Sequence, residues 1–125
     1  MTISQKKKEM GRLVKRICPT IRLKFLKRNK HLPQRRITLA TCHVVEQVIT
    51  IRPALFEHTI DGCLHTVLHE VAHISTWQRC RETQHNRNFE KALNWLVDKY
   101  GNKRIKAAKK NKSLWLSVYD YDEEK

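Results

Sequence analysis

Apolar side chains recur every three or four residues near the start of the chain and every two residues in its middle, and this change of period divides the sequence into elements. Met10, Leu13, Val14 and Ile17 predict a basic amphipathic helix over about residues 4–17. Pro19 separates it from a second apolar group, Ile21, Leu23, Phe25 and Leu26, which reads as a short helix or an extended arm. The runs Ile37-Thr38-Leu39-Ala40 and Val44-Val45-Glu46-Gln47-Val48-Ile49-Thr50-Ile51 are rich in β-branched residues and partly alternate, so two antiparallel strands are expected, with no glycine at their corner. Pro53 ends the second strand. Thr59-Ile60-Asp61 then offers a cap for a helix running to about Trp77. Leu64, Val67, Val71 and Ile74 would share its core side. A further helix, about residues 86–100, carries Phe89, Leu93, Leu96 and Val97 on one stripe and stops at Gly101. Residues 103–112 suggest another helical turn, and residues 113–121 a last strand.

The order of these elements predicts an α+β domain, in which a small antiparallel sheet packs on one long helix. A chain of 125 residues suits a single domain, with a basic helical segment at 1–35, a core at 36–100 and a basic then acidic segment at 101–125. No apolar run approaches eighteen residues and no apolar stretch follows the basic N-terminus, so an intracellular protein is expected, neither secreted nor membrane-spanning. Cys18, Cys42, Cys63 and Cys80 include no Cys-x-x-Cys pair, which favours reduced thiols over a structural zinc ribbon.

Charge changes the picture by its distribution more than by its total of +14. Residues 1–36 hold thirteen Lys and Arg against one acidic residue, and residues 99–112 hold seven against none. Residues 37–98 hold five basic and seven acidic side chains. A near-neutral core between two cationic segments suits a polyanion, and inside a cell the commonest is nucleic acid. Lys103, Arg104, Lys106, Lys109 and Lys110 are the candidate DNA contacts, expected to meet phosphates without regard to base sequence. Trp115, Tyr119 and Tyr121 could stack on bases but more simply pack on the domain.

The chemistry concentrates in His69-Glu70-Val71-Ala72-His73, on the long predicted helix. Histidines four residues apart project from one side of a helix, one turn apart, so both imidazoles can bind one zinc ion. Glu70 beside them supplies a general base for a water activated by that ion. His85, beyond a polar linker and at the head of the next periodic segment, provides a third nitrogen and leaves a fourth position for water. Phe89, one turn later, would anchor that segment. Glu90 is a weaker candidate for third ligand, and His65, one turn before His69, a weak one for stabilising an oxyanion. The metzincin pattern does not apply, because position 79 is Arg79 and no methionine follows Met10.

These residues resemble the SprT-like zinc proteases, the family that includes Spartan. The resemblance covers about residues 36–100 and rests on His69-Glu70-Val71-Ala72-His73, the Thr76-Trp77 pair, His85 and Phe89. The stretch from Val48 through Pro53 to Leu55 looks like the family's strand and short connection before the active-site helix. The family's glycine after the third histidine is replaced by Asn86, and the zinc-ribbon segment of some members has no counterpart. The resemblance implies cleavage of proteins bound or crosslinked to DNA, with DNA as tether and activator, in the nucleus or wherever DNA is handled. Two other readings stand beside it: a zinc-containing DNA-binding protein without turnover, and a general metallopeptidase unconnected with DNA.

Overall fold

A computed structural model describes residues 1–33 and 36–108. Helix α1 spans Ile3–Ile17 and opens with a capping box, in which the Thr2 hydroxyl accepts from the Gln5 backbone amide and the Gln5 side chain accepts in return from Thr2. Its buried stripe is Met10, Leu13 and Val14. Each such side chain contributes roughly 1.5–3 kcal/mol when fully removed from water, which makes the basic N-terminal segment part of the core. Lys6 reinforces the attachment by donating to the main-chain oxygens of Phe56 and His58, at 2.8 and 2.7 Å.

The apolar group after Pro19 forms strand β1, Arg22–Phe25, which settles the choice between helix and extended arm. Strands β2 (Lys30–Leu32) and β3 (Arg36–Thr38) pair antiparallel in a hairpin of their own. Strand β4 (Ala40–His43) pairs antiparallel with β5 (Val48–Ile51), and β1 adds to the far side of β5 in parallel, giving the order β1-β5-β4. The expected antiparallel pair is present, but the sheet is mixed and the two apolar runs are divided differently. Leu39 separates β3 from β4. Residues 44–47, read as the start of a strand, instead make the turn between β4 and β5. Gln47 takes the left-handed conformation there (φ 57°), a place glycine would fill without strain, and Val45 is left 68% exposed. In register, Leu23 lies beside Ile49 and Phe25 beside Ile51, while Cys42 and Ala40 flank the same two residues from β4. This face meets the helices.

A 3₁₀ turn at Pro53–Glu57 leads into helix α2, Ile60–Cys80, whose N-cap is Thr59, accepting from the Gly62 amide at 3.2 Å. The helix outlasts the prediction by three residues. Arg81 ends it in the left-handed conformation, its amide donating to the Trp77 carbonyl at 2.9 Å and its guanidinium lying 5.5 Å from the Trp77 ring centre. The expected single apolar face is also too narrow a description. Every residue from His65 to Ile74 is buried, because sheet, α1 and α3 surround the middle of α2, while Leu64 remains half-buried.

Helix α3, Arg87–Tyr100, buries Phe89, Leu96 and Val97, with Leu93 half-buried. Gly101 follows it in extended rather than left-handed conformation (φ −72°). Glycine is required there by close approach, since a Cβ would lie 2.5 Å from the Val97 carbonyl oxygen. A short helix α4, Lys103–Ala108, buries Ile105. It is tied to the start of α2 by Asn102, which donates to Asp61 at 2.7 Å. The last strand expected at residues 113–121, with Trp115, Tyr119 and Tyr121, lies outside the described residues. Among the described residues no helix is long and apolar enough to cross a membrane, and the four cysteines form no disulfide.

Candidate metal centre

His69 and His73 stand one turn apart at the buried middle of α2, 2% and 4% exposed. Their 5.0 Å centroid separation, with the rings nearly perpendicular, follows from the four-residue spacing on a regular helix. His85 arrives from a different element. It sits just before Asn86, the N-cap of α3, whose side chain accepts from the Phe89 amide at 3.1 Å. Asn86 also donates to the Glu82 carboxylate, to which Asn88 donates at 3.4 Å, so the linker between α2 and α3 is pinned beside the histidine it presents. Asparagine where the family pattern has glycine therefore serves as a helix cap, stabilising α3 by about 1 kcal/mol relative to alanine.

The three imidazoles close on one another. His85 Nε2 and His73 Nε2 are 2.9 Å apart, and one ligand nitrogen from each of His69, His73 and His85 lies within 4.8 Å of the others. Phe89 packs against all three rings, with centroids at 4.8 Å from His69, 4.4 Å from His73 and 4.8 Å from His85. The anchoring aromatic thus also forms the apolar wall of the cluster, and His85 occupies its solvent-facing side.

Burial sets the protonation of the group. Desolvation first, and then the neighbouring His73, His85 and His65, hold His69 well below the ordinary histidine range. Desolvation followed by His85 pushes His73 down to about 3, and desolvation lowers His85. Neutral imidazole is the ligand form, with a lone pair to give, so three converging neutral nitrogens fit a divalent metal ion as donor set. Glu70 is buried at 5% exposure between the two α2 histidines in sequence, and its main-chain oxygen accepts from the Cys42 thiol on β4 at 3.5 Å.

The predicted residues thus divide. His69, His73 and His85 come together, whereas Glu90 is exposed on α3 and outside the group. His65 is buried one turn before His69, held near 3 by desolvation, and is also outside the triad. Cys63 is buried, with its thiol pushed up to about 11 mainly by desolvation, and Cys80 is exposed; neither belongs to the group. Lys103, Arg104 and Lys106 are exposed on α4, while Lys109 and Lys110 lie outside the described residues. Sequence reasoning missed the hold of Glu82 on Asn86, for which the four-residue spacing of the pair was the available signal.

A model of the SprT-like family matches residues 7–110. The chain belongs to the SprT-like family. The match takes in α1 as well as the core, so it extends well beyond residues 36–100, where the motifs lie. No curated protein matches the chain. Among solved structures, the fold is similar to the metallopeptidase zymogen of Pyrococcus abyssi abylysin, with a TM-score of 0.53 and 14% identity over 94% of this chain and 98% of that one. The α+β architecture of this SprT-like chain is therefore shared with a metallopeptidase across almost its full length.

Proposed function

We propose that this SprT-like protein is a zinc-dependent endopeptidase acting on proteins bound or crosslinked to DNA. The observation that carries the peptidase part is the convergence of His69, His73 and His85, neutral and wedged against Phe89, in a chain whose second motif residue is Glu70. Three histidines with an open fourth position are the donor set of a catalytic rather than a structural zinc site. Zinc, when bound, lowers the pKa of water towards neutrality and polarises a scissile carbonyl. Glu70 is the general base: it takes the proton of the attacking water and delivers it to the leaving amine. The imidazoles, kept neutral by burial, hold their lone pairs ready for the metal. Asn86 and Phe89 fix the approach of His85.

The DNA part rests on charge. Arg16 of α1 reaches the C-terminal end of α3, its guanidinium 5.7 Å from the Tyr100 ring centre, to which Lys99 also comes within 5.5 Å. A protein adduct held by its DNA on such a surface would be presented to the metal centre at high effective concentration. A general peptidase without a DNA link is the competing reading, and a non-catalytic zinc protein is disfavoured by the glutamate in the motif. The discriminating experiment measures zinc content together with cleavage of a DNA-bound protein, with and without DNA. Zinc near one equivalent and DNA-stimulated cleavage are expected. Cleavage indifferent to DNA would leave the general peptidase, and zinc without cleavage the non-catalytic protein.

A further inference from the structure

His85 is the least secured member of the triad. His69 and His73 stand mid-helix and are at most 4% exposed, so the packing around them fixes their imidazoles. His85 is exposed and belongs to no helix: it lies in the linker between Arg81, which closes α2, and Asn86, which caps α3. An ion held by all three would exchange with solvent on the side that His85 occupies, because the other two ligands are covered.

That linker carries a polar fastening which capping alone does not require. Glu82, the first residue after the end of α2, turns one carboxylate oxygen, Oε2, towards α3, where it accepts from the Asn86 side chain and, at 3.4 Å, from Asn88. Asn86 uses both ends of its amide: Oδ1 accepts from the Phe89 amide at 3.1 Å, while Nδ2 donates to Glu82. An N-cap works through its oxygen, so the bond made by Nδ2 serves something else. Glu82 and Asn86 are four residues apart with no helix between them, and their bond closes a short ring of chain that has His85 inside it. The start of the ring is fixed by the Arg81 amide, which donates to the Trp77 carbonyl at 2.9 Å. A closed ring leaves the imidazole fewer positions than an open linker, and a ligand already in place loses less freedom when the ion arrives.

We propose that Glu82 is a positioning residue that sets how long the metal ion stays bound, by latching Asn86 and so holding His85 on the solvent-facing side of the site. The inference rests on the metal centre of the function proposed above and adds the residue that governs exchange of its ion. Glu82 is outside the group of converging ligand atoms and acts on His85 through Asn86.

The test loads the parent and its variants with zinc and follows release of the ion to an excess of a chromogenic chelator, with circular dichroism to verify folding. Removing the partner that orients a metal ligand costs roughly 10- to 100-fold in metal affinity, and Glu82→Ala is expected to release zinc faster than the parent by about that factor. Glu82→Gln keeps an oxygen that can accept from both asparagines and should recover most of the loss, which a direct attraction between carboxylate and ion would not allow. Asn86→Asp keeps the helix cap but removes the donor, and should match or exceed the effect of Glu82→Ala. Both changes open the same latch, so the double variant should release zinc no faster than the faster of the two single ones. Release from Glu82→Ala at the parent rate, Glu82→Gln as fast as Glu82→Ala, or effects that multiply in the double variant would each overturn the latch and leave the metal centre standing. If Glu82→Ala does not fold, Asn86→Asp decides the same question, and release at the parent rate overturns the latch. A parent protein that takes up no zinc would remove the metal centre itself.

Discussion

Around His69 and His73 the protein removes both water and charge; across α4 and the end of α3 it keeps both. The two α2 histidines are at most 4% exposed and are held uncharged by their surroundings, whereas the Arg104 side chain is 83% exposed. The difference fits what each region is proposed to bind. A metal ion needs a few lone pairs held in fixed positions, and burial within a packed helix supplies that rigidity. A polyanion needs many replaceable contacts, and solvated lysines supply them with little ordering. Alterations to the first region should act sharply and at single positions, and alterations to the second gradually and through salt.

The largest effect is expected at the triad. His85→Ala should strip most of the zinc, because two histidines from one helix leave the ion with too few protein ligands, while His65→Ala should keep occupancy near that of the parent. Elemental analysis of the two purified variants decides this, and the opposite ranking would mean that His65 rather than His85 is the third ligand. A smaller and more graded effect is expected on the cationic side. Replacing Lys103, Lys106, Lys109 and Lys110 by glutamine should flatten the dependence of DNA affinity on salt by up to about three or four log units per log unit of salt, since each lost phosphate contact releases its counterions no longer. Zinc content should not change. An unaltered salt slope would place the DNA contacts elsewhere, and parent binding insensitive to salt between about 50 and 200 mM would remove them altogether.

The same contrast governs what the sequence disclosed. The α2 pair was legible because helix geometry ties a four-residue spacing to one face, and no distant part of the chain can alter that. His85 was legible through the start of the next periodic segment, and Asn86 followed by Phe89 three residues later marks the cap that holds it. Strand β1 was ambiguous because its partner β5 lies some twenty residues away and pairs in parallel, leaving no local turn as a signal. The turn at residues 44–47 was misread for a related reason: two valines suggest a strand, and the left-handed residue that reverses the chain is Gln47 rather than glycine. The burial of every residue from His65 to Ile74 was beyond a single-helix projection, since it depends on elements arriving from both sides. The approach of Arg16 on α1 to Tyr100 on α3 had no distinguishing pattern in sequence, because the two lie far apart along the chain.

The central claim is that Glu70 is the proton acceptor of a zinc peptidase whose ion is held by His69, His73 and His85. Glu70→Gln is nearly the same shape and cannot take the proton, so the measurement is cleavage of a DNA-bound protein substrate by this variant, with its zinc content determined on the same preparation. Full zinc occupancy with cleavage reduced at least about a hundredfold is the predicted result. Cleavage close to that of the parent, in a preparation that carries its zinc, would contradict the account.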